Sequence, residues 1–91
     1  MTWDVDTARA FGGRVRDLRR AAELSQEGLA YRAGITKNQV QLIEAGRGSA
    51  RETGPISNPR MKTVFGLADA LGVTASDLLA DLSAESAERA S

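Results

Sequence analysis

The 91-residue sequence contains neither cysteine nor histidine. Without these side chains the chain cannot form a disulfide framework, a zinc site, or a Ser-His or Cys-His catalytic pair. No Asp or Glu residues accompany a credible nucleophile or phosphate-binding loop. We therefore expect that the protein is not an enzyme and that it holds no metal ion and no cofactor.

Long hydrophobic runs are also missing. No apolar stretch approaches the roughly 20 residues that cross a bilayer, and the N-terminal segment MTWDVD lacks the basic-then-apolar pattern of a secretory signal. The length suits one small domain, and we expect no separate ligand-sensing domain beside it. The sequence therefore predicts a cytoplasmic protein without a membrane partner.

The formal net charge is zero, but the charges are unevenly distributed. Residues 14–62 contain ten basic and five acidic side chains, whereas residues 1–13 have a net charge of −1 and residues 63–91 of −4. A basic middle flanked by acidic ends orients a protein on a polyanion and limits its non-specific affinity. Chance asymmetry of a solvated surface would give the same counts, so both interpretations remain open.

Two short helices joined by a tight turn are predicted between Leu24 and Gly46. Ser25 and Thr36 are typical helix N-caps, and Gly34 supplies the left-handed residue that ends a helix. Helices of about eight residues with so short a connection cannot pack antiparallel, so they must cross steeply, as in a helix-turn-helix.

The second of these helices has two faces of opposite character. Val40 and Ile43 form its predicted inner face. Its other side carries side chains that match the groups of guanine, adenine and the thymine methyl in the major groove. These are Lys37, Asn38, Gln41 and Leu42. An ordinary solvated face is the alternative, but the adjoining turn favours contact with DNA.

A first helix is predicted from apolar residues spaced three or four apart. We expect its cap at Asp6 or Thr7. Gly12 and Gly13 weaken this helix, and they either permit the close approach of another helix or mark fraying. Its apolar residues are Ala8, Phe11, Val15, Leu18 and Ala22.

Two further helices complete a predicted all-α fold of five helices. Asn58 is the predicted cap of the fourth helix, Pro59 its first residue and Gly72 its end. Thr74 and Asp77 form a predicted capping box for the fifth. The apolar stripes are Met61, Val64, Leu67, Ala68 and Leu71 in one helix, and Leu78, Leu79 and Leu82 in the other.

The segments outside this domain, which covers residues 7–82, have less regular patterns. Residues 1–6 are predicted to form an arm, whose Trp3 packs on the domain or on a second subunit. Residues 46–58, rich in glycine, proline, serine and arginine, form a predicted extended loop that either contacts phosphate or serves as a mobile linker. Residues 83–91 are predicted to be a polar tail, which frays or extends a helix in a dimer.

The sequence resembles the Xre/Cro-type, lambda-repressor-like helix-turn-helix domains of phage repressors and bacterial regulators. The resemblance covers about residues 11–80 and rests on LSQEGLA, the Gly-Ile-Thr turn, Val-x-x-Ile-Glu-x-Gly and LADALGV-x-x-x-x-LL. It implies a compact five-helix domain with the helix-turn-helix as helices 2 and 3. Domains of this family bind operator DNA as dimers, with the third helix in the major groove.

The resemblance also assigns roles to individual residues. It implies that Gln26 contacts a phosphate or a base edge and that Thr36 joins the base-contacting set. Leu42 stands where such proteins often have a polar or basic residue that contacts a base. Because leucine cannot form that hydrogen bond, its expected contact is a thymine methyl or a flank of the loop. Arg19 and Glu44 match a family ion pair between helices 1 and 3. The predicted backbone contacts are Gln26, Arg14, Arg20, Arg47, Arg51 and Arg60.

The sequence therefore predicts a transcriptional regulator, a repressor or autoregulator, that binds a pseudo-palindromic operator in double-stranded DNA as a homodimer. Its control would come from its own concentration or from a partner protein. A protein-interaction module or an antitoxin-type protein with the same fold is the alternative, favoured slightly by the neutral net charge and by Leu42 on the face that would contact DNA.

Overall fold

The computed structural model describes residues 3–48 and 58–82 of the chain. These residues form five helices in the predicted order: α1 (Val5–Ala21), α2 (Gln26–Ala33), α3 (Lys37–Glu44), α4 (Met61–Leu71) and α5 (Ala75–Leu79). The predicted all-α class is confirmed. Arg51 with most of the predicted loop, and the predicted tail, lie outside the described residues. Within the described ranges, no helix is both long and apolar enough to cross a membrane.

One hydrophobic core draws on all five helices. A side chain of leucine or phenylalanine size stabilises the fold by about 1.5–3 kcal/mol when fully buried. Trp3 packs edge-on against Phe11, with 5.6 Å between the ring centroids, so its partner belongs to the domain itself. The largest fully buried side chains are Phe11, Leu29, Leu67, Leu78, Leu82, Val15 and Val40.

The predicted starts of α2, α3 and α5 agree with the structure. The hydroxyls of Ser25, Thr36 and Thr74 each accept a hydrogen bond from a backbone amide in the first turn that follows. Gly34 and Gly72 end α2 and α4 in the left-handed conformation, with φ of 74° and 71°. Local capping chemistry therefore sets the limits of the helix-turn-helix.

The start of α1 differs from the prediction. The carboxylate of Asp4 accepts hydrogen bonds from the Thr7 amide at 2.8 Å and from the Thr7 hydroxyl at 2.9 Å. Asp4 is thus the N-cap, and residues 5 and 6 belong to the helix rather than to an arm. At the other end, Ala22 is the exposed C-cap and does not join the core.

The start of α4 also differs. The helix begins at Met61, and its N-cap Arg60 makes no side-chain capping bond, so Asn58 and Pro59 do not open it. Met61 lies in the first turn and is 56% exposed, whereas the prediction placed it in the core. The buried stripe of α4 begins one turn later, at Val64.

Two glycines allow helices to pack backbone against backbone. A Cβ atom on Gly12 of α1 would overlap the Ile43 carbonyl oxygen and lie 2.9 Å from the Glu44 carbonyl oxygen of α3. A Cβ atom on Gly66 of α4 would lie 2.7 Å from the Ala33 carbonyl oxygen of α2. Gly12 therefore permits the close approach of another helix, one of the two interpretations left open by the sequence.

Candidate nucleic-acid interface

The structure buries one side of α3 and leaves the other open. Val40 and Ile43 are 0% and 7% exposed, as the apolar pattern predicts. Lys37, Asn38 and Gln41 are exposed on the other side. Their amide and ammonium groups are therefore available to an external partner, which is the first requirement for direct contact with bases.

The first turn of α3 is stabilised by a capping box. The Thr36 hydroxyl accepts a hydrogen bond from the Gln39 amide at 3.1 Å, and the Gln39 side chain accepts one from the Thr36 amide at 2.8 Å. The Thr36 hydroxyl is thus engaged in the cap, although it was predicted to contact a base. The role of Gln39 was missed, but a Thr-x-x-Gln spacing before an apolar helix is a signal that indicates it.

The last residue of α3, Glu44, is fixed to α1 by an ion pair and to α2 by a hydrogen bond. Arg19 Nε lies 2.7 Å from Glu44 Oε2, and Arg19 Nη2 donates to Glu44 Oε1 at 3.0 Å. The two side chains are only 11% and 5% exposed. The hydrogen bonds to Glu44 raise the pKa of the Arg19 guanidinium above its ordinary value. Gln26 Nε2 donates to the same carboxylate at 3.1 Å.

A basic cleft of about 700 Å³ lies on one side of α3. The half-buried side chain of Leu42 lines this cleft, together with residues 58–60, which precede α4. The cleft is also lined by the cations Arg47, Arg60 and Lys62, and by no acidic side chain among the described residues. A concave surface with three positive charges and no negative one favours an anion such as phosphate.

A smaller basic recess of about 450 Å³ lies on the other side of α3. Its lining includes the cations Arg20 and Lys37, the side chain of Gln26 and one acidic residue, Glu27. At 100° per residue, the direction of Asn38 and Gln41 around α3 falls between that of Lys37, which faces the recess, and that of Leu42, which faces the cleft. Positive charge therefore flanks the exposed face of α3 on both sides.

The sequence model of a protein family described as "Helix-turn-helix domain" matches residues 10–82. The chain belongs to the helix-turn-helix domain family. No curated protein matches the sequence.

The solved structures that resemble this helix-turn-helix protein include two bacterial regulators. The restriction-modification controller protein C.AhdI from Aeromonas hydrophila is 32% identical, with a TM-score of 0.67 over 78% of this chain and 94% of its own. The clp gene regulator ClgR from Corynebacterium glutamicum is 19% identical, with a TM-score of 0.76 over 92% of this chain and 80% of its own. The second likeness shows the fold alone.

Arg14 of the helix-turn-helix protein has a structural position that the sequence did not indicate. Its guanidinium donates to the carbonyl oxygens of Asp77, Leu78 and Ala80, at the C-terminal end of α5. These bonds satisfy carbonyls that the helix leaves unpaired. The guanidinium of Arg14 is thus engaged within the fold, and its predicted phosphate contact stays a prediction.

Lys62 is the cation that the sequence prediction missed. It was counted in the basic region but not assigned to a site, because it lies two residues into α4 and far in sequence from α3. Only the fold brings it to the cleft beside Arg47 and Arg60. A sequence signal existed in the local excess of basic residues, but this signal does not indicate which of them share a cleft.

Proposed function

We propose that this helix-turn-helix protein is a transcriptional regulator, a repressor or autoregulator, that binds a pseudo-palindromic operator as a homodimer. The observation that carries the proposal is the exposed face of α3 with Asn38 and Gln41 between two basic surfaces. The major groove of DNA is wide enough to admit an α-helix, and the phosphates of the two strands lie on either side of it.

The proposal divides the site into two groups of residues. Asn38 and Gln41 pair with base edges, adenine being the preferred partner of an amide side chain, and Lys37 donates to guanine. Thr36 orients α3 and adjoins these contacts, while Leu42 meets a thymine methyl or the flank of the loop. Positive side chains bind the phosphates and thereby fix the position of the protein on DNA. These are Arg20, Arg47, Arg60 and Lys62.

One structural neighbour supports a regulatory role. C.AhdI, which is 32% identical to this chain, is named as a restriction-modification controller protein. The basic region between two acidic ends of the chain agrees with this role, since it directs one surface toward a polyanion.

The exposed face of α4 supports assembly as a homodimer. Met61 and Phe65 lie one turn apart on this face, and they are 56% and 59% exposed. A two-fold symmetric pair would cover the same patch on both subunits. Its two copies of α3 would enter successive major grooves about 34 Å apart.

Selection of bound sequences from a random duplex pool tests the proposed function. We expect a two-fold symmetric consensus, with affinity that falls steeply as salt rises. Asn38→Ala should relax preference at one base pair of each half-site and cost about 1–3 kcal/mol. Arg47→Ala should weaken binding to all sequences alike. It should also reduce the slope of log affinity against log salt concentration by about 1. Identical behaviour of the two variants would refute the division into base and phosphate contacts.

A protein-interaction module is the second candidate. Tyr31 on α2 is 90% exposed, an unusual position for an aromatic ring and one that suits a protein partner. This alternative predicts that no duplex is retained in a gel shift, even at low salt. Sequence-selective retention by the wild-type chain would exclude the module as its sole function.

A further inference from the structure

The basic cleft beside α3 has apolar walls as well as charged ones. The apolar residues that line it are buried or half-buried, whereas its three cations are exposed. The cleft therefore has an apolar inner surface and a positive outer edge. The apolar lining consists of Ala33, Ile35, Leu42, Ile43 and Pro59.

A phosphate of the DNA backbone accounts for only part of this surface. A phosphate group has no apolar surface, so it gives Ile35 and Leu42 no partner. The cleft has a volume of about 700 Å³, within the range of about 300–1,000 Å³ that is usual for small-molecule sites. Such sites combine a mainly apolar lining with a few polar groups that orient the ligand. The cleft therefore suits a ligand that has both an apolar body and a negative charge.

The first turn of α4 adds hydrogen-bond donors to the positive edge. Its N-cap, Arg60, makes no side-chain capping bond, and Val64 is the first residue whose amide donates to a carbonyl of the preceding turn. The amides of residues 61–63 thus have no acceptor among the described residues. Lys62 and Thr63 of this turn line the cleft. The positive end of the helix dipole therefore favours an anionic group at this end of the cleft.

We propose that the basic cleft binds an amphipathic organic anion, whose charged group meets Arg60 and Lys62 and whose apolar body covers Ile35 and Leu42. The bound molecule occupies cations that the proposed function assigns to DNA phosphates, and it therefore competes with DNA. This competition rests on the proposed function, whereas the binding site itself does not. The domain thus responds directly to a small molecule, in addition to the control by its own concentration or by a partner protein.

Three probes separate the two parts of the proposed ligand. 2-Naphthoate has an apolar body and a carboxylate, 2-naphthamide has the same body without a charge, and inorganic phosphate has charge without an apolar body. In a nitrogen-15 NMR titration of the full chain, 2-naphthoate should shift the backbone amide signals of residues 33–35 and 60–63. The usual free energy per ligand atom gives a Kd of about 1 mM or lower. The other two probes should bind at least about fivefold more weakly.

The same titrations can overturn the proposal in three ways. Equal binding of 2-naphthamide would remove the role of the cations. Equal binding of inorganic phosphate would remove the role of the apolar surface. The absence of 2-naphthoate shifts at residues 33–35 and 60–63 would show that the cleft is not a site for such a ligand.

Variants of the lining test the location of the site. Lys62→Gln removes one cation and should weaken 2-naphthoate binding about 2- to 5-fold, as for an exposed ion pair. Leu42→Glu replaces an apolar contact with a like charge and should weaken it about tenfold or more. The matched controls are Arg32→Gln on α2 and Phe65→Ala on α4, because both side chains are exposed and neither lines the cleft. The controls should leave the Kd unchanged. An unchanged Kd in Lys62→Gln would overturn the proposal even if Leu42→Glu failed to fold.

A gel shift tests the competition with DNA. The wild-type chain is mixed with a duplex that it selects from a random pool. 2-Naphthoate at about ten times its Kd should weaken DNA binding about tenfold, whereas sodium acetate at the same concentration should act only through ionic strength. Binding of 2-naphthoate with no greater effect on DNA than acetate would overturn the regulatory part of the proposal. Failure of the wild-type chain to select any duplex would instead refute the proposed function, and the titrations would still decide whether the site exists.

Discussion

Replacement of Gly12 by alanine tests the close contact between α1 and α3. The added methyl carbon would overlap the Ile43 carbonyl oxygen and lie 2.9 Å from that of Glu44. A relaxed contact between carbon and carbonyl oxygen is about 3.3 Å or longer. Both oxygens belong to the backbone of α3 and cannot rotate away, so α1 and α3 would have to separate.

Two opposing terms determine the size of this effect. Alanine favours a helix interior over glycine by about 1 kcal/mol. Inserting a methyl group into a fully packed site costs about 1–3 kcal/mol, occasionally more. The contact here is with backbone on two sides, which places the cost in the upper part of this range. We therefore expect Gly12→Ala to destabilise the protein by about 1–2 kcal/mol net.

Urea denaturation followed by far-UV circular dichroism measures this change. Gly28→Ala in α2 is a suitable control, because its Cβ atom would meet only side-chain atoms, at 3.2 Å from Ser25 Oγ and 3.6 Å from Leu24 Cδ2. We expect the control to change stability by less than about 1 kcal/mol. Stabilisation of Gly12→Ala by the full difference in helix propensity would refute the close contact and favour fraying.

Three further predictions concern stability. Glu44→Ala should cost about 3–5 kcal/mol, because it leaves the largely buried guanidinium of Arg19 without its carboxylate; a loss below about 1 kcal/mol in urea denaturation would contradict this. Leu67→Ala should cost about 2–5 kcal/mol in the same assay, since Leu67 is 0% exposed. Hydrogen bonds from a nearby threonine lower the pKa of Asp4 and of Asp77 below 3.8. Their contribution to stability is therefore complete above this value and is lost as the pH falls through the lower pKa of the folded state. The urea midpoint of the wild-type chain should fall below about pH 4 more steeply than that of Asp4→Asn or Asp77→Asn, and parallel curves would contradict the capping bonds.

The sequence was sufficient for features that depend on neighbouring residues. Ser25 and Thr36 lie directly before the helices that they cap, and Gly34 directly follows α2. The three-residue spacing of Val40 and Ile43 indicates which side of α3 faces the core. These signals predict the helix-turn-helix because its geometry is local.

Competing local signals explain the helix starts that were misassigned. Asp6 and Thr7 were the predicted caps of α1, but the carboxylate of Asp4 is the group that accepts hydrogen bonds from both the amide and the hydroxyl of Thr7. Pro59 is compatible with a first helical residue, but the chain turns into α4 only after Arg60. Helix propensity alone does not distinguish between such neighbouring starts.

Contacts between distant segments could not be predicted in the same way. Gly12 gave two interpretations until its distance from α3 was known. The positions of Arg14 at the end of α5, and of Lys62 in the basic cleft, depend on how α1 and α4 pack. The Arg19–Glu44 pair is the exception, because the family resemblance implied it and the structure shows it.

The two ends of α3 are held by different kinds of contact, and this has a consequence for the candidate interface. The first turn is fixed within the helix-turn-helix by the bonds between Thr36 and Gln39, whereas the last turn is fixed by α1 through Gly12 and Arg19. Asn38 and Gln41 lie between these supports. A change in α1 that shifts the last turn would therefore tilt the exposed amides without altering any residue that faces solvent on α3. Because a displacement of about 1 Å is enough to disrupt positioned hydrogen bonds, conservative changes such as Arg19→Lys should reduce affinity for every operator position together. Loss of preference at a single base pair should instead arise from changes in the side chains of the exposed face of α3.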